Sequence, residues 1–170
     1  MAMQGTLIMD YAFSLAASGT ATTNVLLPLL DLSHSHSLLM EFEVTSAATA
    51  ASDTLEVKLQ ETSNGTNFNT RARSNTVAGN ATVSAAAPKI ERLTVEQNGP
   101  LMSTEERYEP SGSAGASEPT AGTVINGPFP GKYRTTATGW TPNWRISLVK
   151  TDGGGSDAAF AGTVRIWARS

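Results

Sequence analysis

The sequence predicts an all-β fold, an antiparallel β-sandwich of the jelly-roll kind with about eight strands. Three observations predict it. Several short stretches alternate apolar and polar residues with a period of two. Clusters of Gly, Pro, Asn and Ser separate them at sandwich spacing, and no stretch carries a convincing helical repeat.

Residues 7–15 form the first strand candidate and residues 22–27 the second, which Pro28 ends because proline cannot donate to a ladder. After a polar turn at 31–35, Leu38, Met40, Phe42 and Val44 alternate with Leu39, Glu41 and Glu43, a strong third strand. Residues 45–53, rich in Ala, Ser and Thr, read as a loop.

Leu55, Val57 and Leu59 then share one face of a ladder, with Glu56, Lys58 and Gln60 on the other. Asn64-Gly65 supplies two residues tolerant of positive φ, so residues 55–68 read as a tight hairpin. Residues 76–87 give a weak edge strand. At 89–97 the pattern is clearer, with Leu93 and Val95 alternating with Arg92, Thr94 and Glu96.

Periodicity stops at 98–130, a loop or arm longer than compact domains ordinarily use without a functional reason. It returns at 132–138, where Tyr133, Thr135 and Ala137 share a face. A turn, Gly139-Trp140-Thr141-Pro142, leads into Trp144, Ile146 and Leu148 as a second hairpin. The glycine-rich turn 152–157 links that hairpin to a last strand at 160–169, with Val164, Ile166 and Ala168 opposite Thr163, Arg165, Trp167 and Arg169. The expected organisation is one sandwich domain over 1–170, with an extended N-terminal segment and the long loop inserted.

Composition narrows the function classes. With 12 basic against 15 acidic residues the formal net charge is only -3, and 16% of residues are charged, below the roughly 25% of ordinary soluble domains. Electrostatic capture of nucleic acid or of an anionic membrane is not expected. The absence of cysteine removes disulfides, thiolate metal sites and cysteine nucleophiles. The first seventeen residues lack a basic start and are broken by Gln4, Gly5 and Asp10, and no apolar run reaches the ~20 residues of a membrane helix. A protein made in a cytoplasm is the expectation.

No catalytic set, cofactor site or metal site is expected. His34 and His36, two apart in an extended segment, point to one side and with Asp31 offer a partial metal grip. The surrounding Ser33, Ser35 and Ser37 read better as a solvated connection. The 152–157 turn matches neither a calcium-binding nor a phosphate-binding loop, and no Gly-x-Ser-x-Gly elbow occurs. Asn64-Gly65-Thr66 and Asn80-Ala81-Thr82 fit the glycosylation sequon, which carries no weight without a secretory signal.

Among the aromatics, Trp144 shares its face with Ile146 and Leu148 and reads as core. Trp167 shares the face of Arg165 and Arg169 and is a candidate contact residue, and Trp140 sits in a turn. With Tyr133, the tryptophans serve equally as a sugar-stacking platform or as anchors.

The block Lys58-Leu59-Gln60-Glu61-Thr62-Ser63-Asn64-Gly65-Thr66-Asn67-Phe68, with the later Lys132-Tyr133-Arg134-Thr135-Thr136-Ala137-Thr138-Gly139-Trp140-Thr141-Pro142, resembles structural proteins encoded among the head genes of tailed bacteriophages. The resemblance covers these two blocks. Thr62 departs from the pattern, and the 98–130 arm lies outside it. The resemblance implies a jelly-roll decoration, or cement, protein that clamps adjacent major capsid protein subunits on the outer surface of the virion. It implies no enzymatic activity, no direct nucleic-acid or membrane contact, and self-association as a homotrimer rather than a homodimer. Leu101, Met102, Val124, Ile125 and Phe129 in the arm, with Trp140 and Trp167, are the expected contact residues. The alternative is a carbohydrate- or receptor-binding sandwich module of a phage head or tail appendage.

Overall fold

Alternation on this chain becomes strands, and turn-formers become their ends. The computed structural model describes residues 5–16, 18–29, 32, 34–62, 65–98, 118–130, 134–136, 139–154 and 158–170. Among these the strands are β1 (Gly5–Leu15), β2 (Ala21–Leu26), β3 (Ser37–Ser46), β4 (Thr54–Glu61), β5 (Asn69–Arg73) and β6 (Val77–Ala78). The chain continues through β7 (Lys89–Glu96), β8 (Thr123–Val124), β9 (Arg134–Thr136), β10 (Gly139–Thr141), β11 (Trp144–Thr151) and β12 (Phe160–Arg169). No helix occurs among the described residues, so none is long and apolar enough to cross a membrane.

Two antiparallel sheets carry the sandwich. One runs β1-β12-β3-β7; the other runs β2-β11-β4-β5-β8, with β6 also paired to β4. The eight strands of five residues or more pair as a nested set: β1 with β12, β2 with β11, β3 with β7 and β4 with β5. One long antiparallel ribbon folded over on itself gives this order, which is the jelly roll the sequence predicts. The inward phases of both sheets meet in one core, with Leu38, Met40 and Phe42 from one side facing Leu59, Ile146 and Leu148 from the other. Each of these is at most 2% exposed.

Three details differ from the sequence reading. β4 and β5 pair as expected, but residues 62–68 connect them, so the link is longer than a tight two-residue turn. Gly65 does take a positive φ of 73° and donates its N–H to Thr62 Oγ1 at 2.8 Å, which turns the chain locally. Asn64 lies outside the described residues.

The second hairpin is β9 with β10, a small ribbon of its own. β11 starts after Pro142 and pairs with β2 and β4 instead. A buried strand needs a partner on each side, and β9 with its three residues is too short to serve. The turn after β11 likewise makes no hairpin, because β11 and β12 belong to different sheets and the turn crosses between them.

The third detail concerns the end of the long loop. Residues 118–130 run back along the six-stranded sheet as a return leg: β8 pairs with β5, and Phe129 is fully buried.

Candidate functional site

On the outer face of the four-stranded sheet four charged side chains fall into a line. Because β1, β12, β3 and β7 are in register, Asp10 lies beside Arg165, Arg165 beside Glu41, and Glu41 beside Arg92. Charges therefore alternate in sign across all four strands. Arg165 Nη1 donates to Glu41 Oε1 at 3.0 Å and to Glu43 Oε2 at 2.8 Å, while its Nε stands 3.4 Å from Asp10 Oδ1. Arg92 Nε donates to Glu41 Oε2 at 2.6 Å. Its hydrogen bonds to Glu43 and then Glu41 raise the Arg165 pKa further, fixing its charge. Opposite charges on neighbouring strands stabilise the pairing by a few tenths of a kcal/mol to about 1 kcal/mol each.

The row has unequal ends: the Asp10 side chain is 54% exposed at the β1 edge and the Arg92 side chain 63% exposed at the β7 edge. Beside it Leu7, Trp167 and Leu39 form an apolar row that ends at Thr94 on β7. Leu39 is nearly covered on this outward face, whereas Leu7 is 48% exposed and Trp167 half-buried. An extra residue, Ile8, shifts the register between Leu7 and Met9 and thereby keeps Leu7 on the outer face.

On the outer face of the other sheet stands the Glu118 end of the return leg. Glu118 accepts from Lys58 Nζ at 2.6 Å and from Thr70 Oγ1 at 3.3 Å, with Arg73 Nη1 3.7 Å away. The Lys58 hydrogen bond chiefly holds the Glu118 carboxyl below its usual range, against partial desolvation. On the same face the Arg145 guanidinium sits 3.6 Å from the Phe68 ring centroid and donates to Gln60 at 2.8 Å.

Inside, one ion pair secures the same leg. Glu61 continues the inward phase of Leu55, Val57 and Leu59, and a bulge in β5 turns Arg71 toward it. Arg71 Nη1 bonds Glu61 Oε1 at 2.6 Å and the Pro128 carbonyl at 3.2 Å, and its Nε donates to the Ile125 carbonyl at 2.8 Å. Phe129 then meets Trp144 edge-on, centroids 5.3 Å apart. Burial raises the Glu61 pKa even with Arg71 in contact. Glu61 Oε2, Arg71 Nη2 and Trp144 Nε1 have no hydrogen-bond partner.

The sequence-predicted contact residues separate. Phe129, expected on a contact surface, is a core residue at 0% exposure, because the Arg71 clamp draws its backbone inward. Val124, in β8, packs partly against the core, while Ile125 is 37% exposed and Trp140, on β10, 56% exposed. Trp167 lies on the outer face of the four-stranded sheet, and Trp144 is core. Leu101, Met102 and Tyr133 lie outside the described residues.

His34 and His36 are exposed, Asp31 lies outside the described residues, and no group of three metal-ligating side chains occurs among those described. Asp152 ties two turns together, accepting from the N–H of Gly19 and, at 2.7 Å, from that of Gly154. Those backbone donors lower its pKa, Gly19 first.

Sequence reasoning missed the charge row and the Glu61–Arg71 clamp. Glu61 carried a signal, a carboxylate in phase with three core leucine and valine positions. The row carried none, since strand register sets it.

Comparisons with family models, with curated proteins and with solved structures returned no match to this chain.

Proposed function

We propose that this protein is a non-enzymatic structural component of a tailed-phage virion, a decoration protein that binds across major capsid protein subunits on the outer head surface. It would be made in the host bacterial cytoplasm and act on the outer capsid surface as a homo-oligomer, a trimer by preference. The observation that carries the reading is the resemblance of the 58–68 and 132–142 blocks to such proteins. The jelly roll, in which the first block continues out of β4, is the fold the resemblance implies.

The physics of the role is simple. A protein that binds across a subunit junction adds its binding free energy to the cost of separating those subunits. Repetition over a closed shell lets a modest interface suffice.

The test is addition of purified protein to expanded capsids that lack it. Saturable binding with a raised capsid melting temperature is expected, and no binding sinks the reading. Exposed Trp140 favours the second reading, a carbohydrate- or receptor-binding module. Glycan-array binding by the isolated protein, lost in Trp140→Ala, would select it.

A further inference from the structure

From the two edges of the four-stranded sheet we infer that copies of this chain join head to tail, β1 of one copy pairing antiparallel with β7 of the next. This deepens the self-association part of the proposed function and names its surface.

The two edges differ in chemistry. Among the described residues β1 pairs only with β12, and its only charge is Asp10. A long edge with so little charge is an open template for another strand. β7 carries Lys89, Glu91, Arg92 and Glu96.

On β7 the covered and open parts can be separated. The Glu96 N–H donates to Asn126 Oδ1 at 2.8 Å and its carbonyl accepts from Gly127 N–H, so the backbone of Glu96 points away from β3 and that end is capped by the return leg. The Gln97 N–H instead reaches the His36 carbonyl, on the β3 side. By alternation the N–H and C=O groups of Ile90, Arg92 and Thr94 also point away from β3. Ile90 is 45% exposed there.

Strand parity and charge choose the occupant. Four antiparallel strands give β1 and β7 opposite directions, so β1 of a following copy continues the alternation beside β7. If the rows also continue, Asp10 of the next copy stands beside Arg92, and its Ala12 beside Ile90. The sequence of signs, acid, base, acid, base, then repeats across the seam. A two-fold pairing of β1 with β1 centred on this row would set two Asp10 carboxylates across the seam, each with only its own Arg165 as a base, and β7 with β7 two Arg92 guanidiniums. Like charges directly across strands disfavour both. A head-to-tail contact of this kind closes into a ring when its rotation permits.

Sedimentation of the full chain tests the inference. The wild type is expected to exceed the monomer mass, and both Asp10→Arg and Arg92→Asp to weaken association by about tenfold or more. Mixing the two variants should restore the seam between unlike copies, two of the three seams in a three-membered ring, since each then offers the charge the other lacks. That rescue separates a contact between copies from the loss of each residue's own partner within the chain. Ile90→Pro, which removes a donor pointing away from β3, should abolish association while leaving the thermal melt in place. A monomeric wild type overturns both this inference and self-association. Oligomers indifferent to all three variants overturn the β1–β7 seam alone, and capsid binding is scored separately.

Discussion

Arg71 shows how much of the fold can hang on one side chain. Its guanidinium serves the buried Glu61 carboxylate together with the Ile125 and Pro128 carbonyls of the return leg. Arg71→Met should cost about 3–5 kcal/mol in urea denaturation, because it leaves a buried carboxylate without its counter-charge. Pairing it with Glu61→Leu should recover much of that loss, since two apolar groups need no partner. Glu118 works in the opposite pH direction from Glu61. Its folded pKa lies below the ordinary 4.5, so its contribution is present above that value and fades as pH falls through the depressed one. Glu61, raised by burial, contributes below its ordinary value and loses that contribution as pH rises. Melting curves between pH 3 and 7 should therefore show wild type losing more stability on acidification than Glu118→Gln. Glu61 was legible as a carboxylate in core phase. Arg71 was not, because a bulge sets its direction and β5 shows no alternation that would announce one.

At the scale of elements, long alternating strands were the legible part. β3, β4 and β12 follow the apolar phase of the sequence, since a strand with one dry face must place every second residue inward. β6, β8, β9 and β10 are two or three residues long, too short to show a period, and they exist because a longer strand offers them an edge or a ribbon partner. The same limit hid the core role of Phe129, set between Pro128 and Pro130 in a stretch with no alternation. Where β12 meets β3, Thr45 is skipped and the backbones close in at Gly162. A Cβ there would stand 2.0 Å from the Glu43 carbonyl oxygen and 2.9 Å from the Phe13 ring. Gly162→Ala should accordingly destabilise toward the top of the roughly 1–3 kcal/mol range for overpacking, read as a fall in denaturation midpoint. Backbone cannot yield as a side-chain tip does.

Across the whole molecule, the class of fold was readable and the pairing only in outline. Turn spacing and the lack of helix lead to a sandwich, but which strands lie side by side depends on contacts far apart in the chain, such as Leu39 with Trp167 and Leu59 with Ile146. The charge row exists only once that register is set, so its residues looked like ordinary solvated positions. The nested pairing also has a mechanical side. Gly5 at the start of β1 stands opposite Arg169 at the end of β12, so the two outermost strands begin and finish at the same end of the sheet. A pull applied between those two points loads the rungs of that ladder one after another, as a zipper opens, because its hydrogen bonds run perpendicular to the strands. A load entering along the length of the strands must instead break many rungs together. The β1–β12 ladder thus yields more readily to a pull between Gly5 and Arg169 than to a load along its strands.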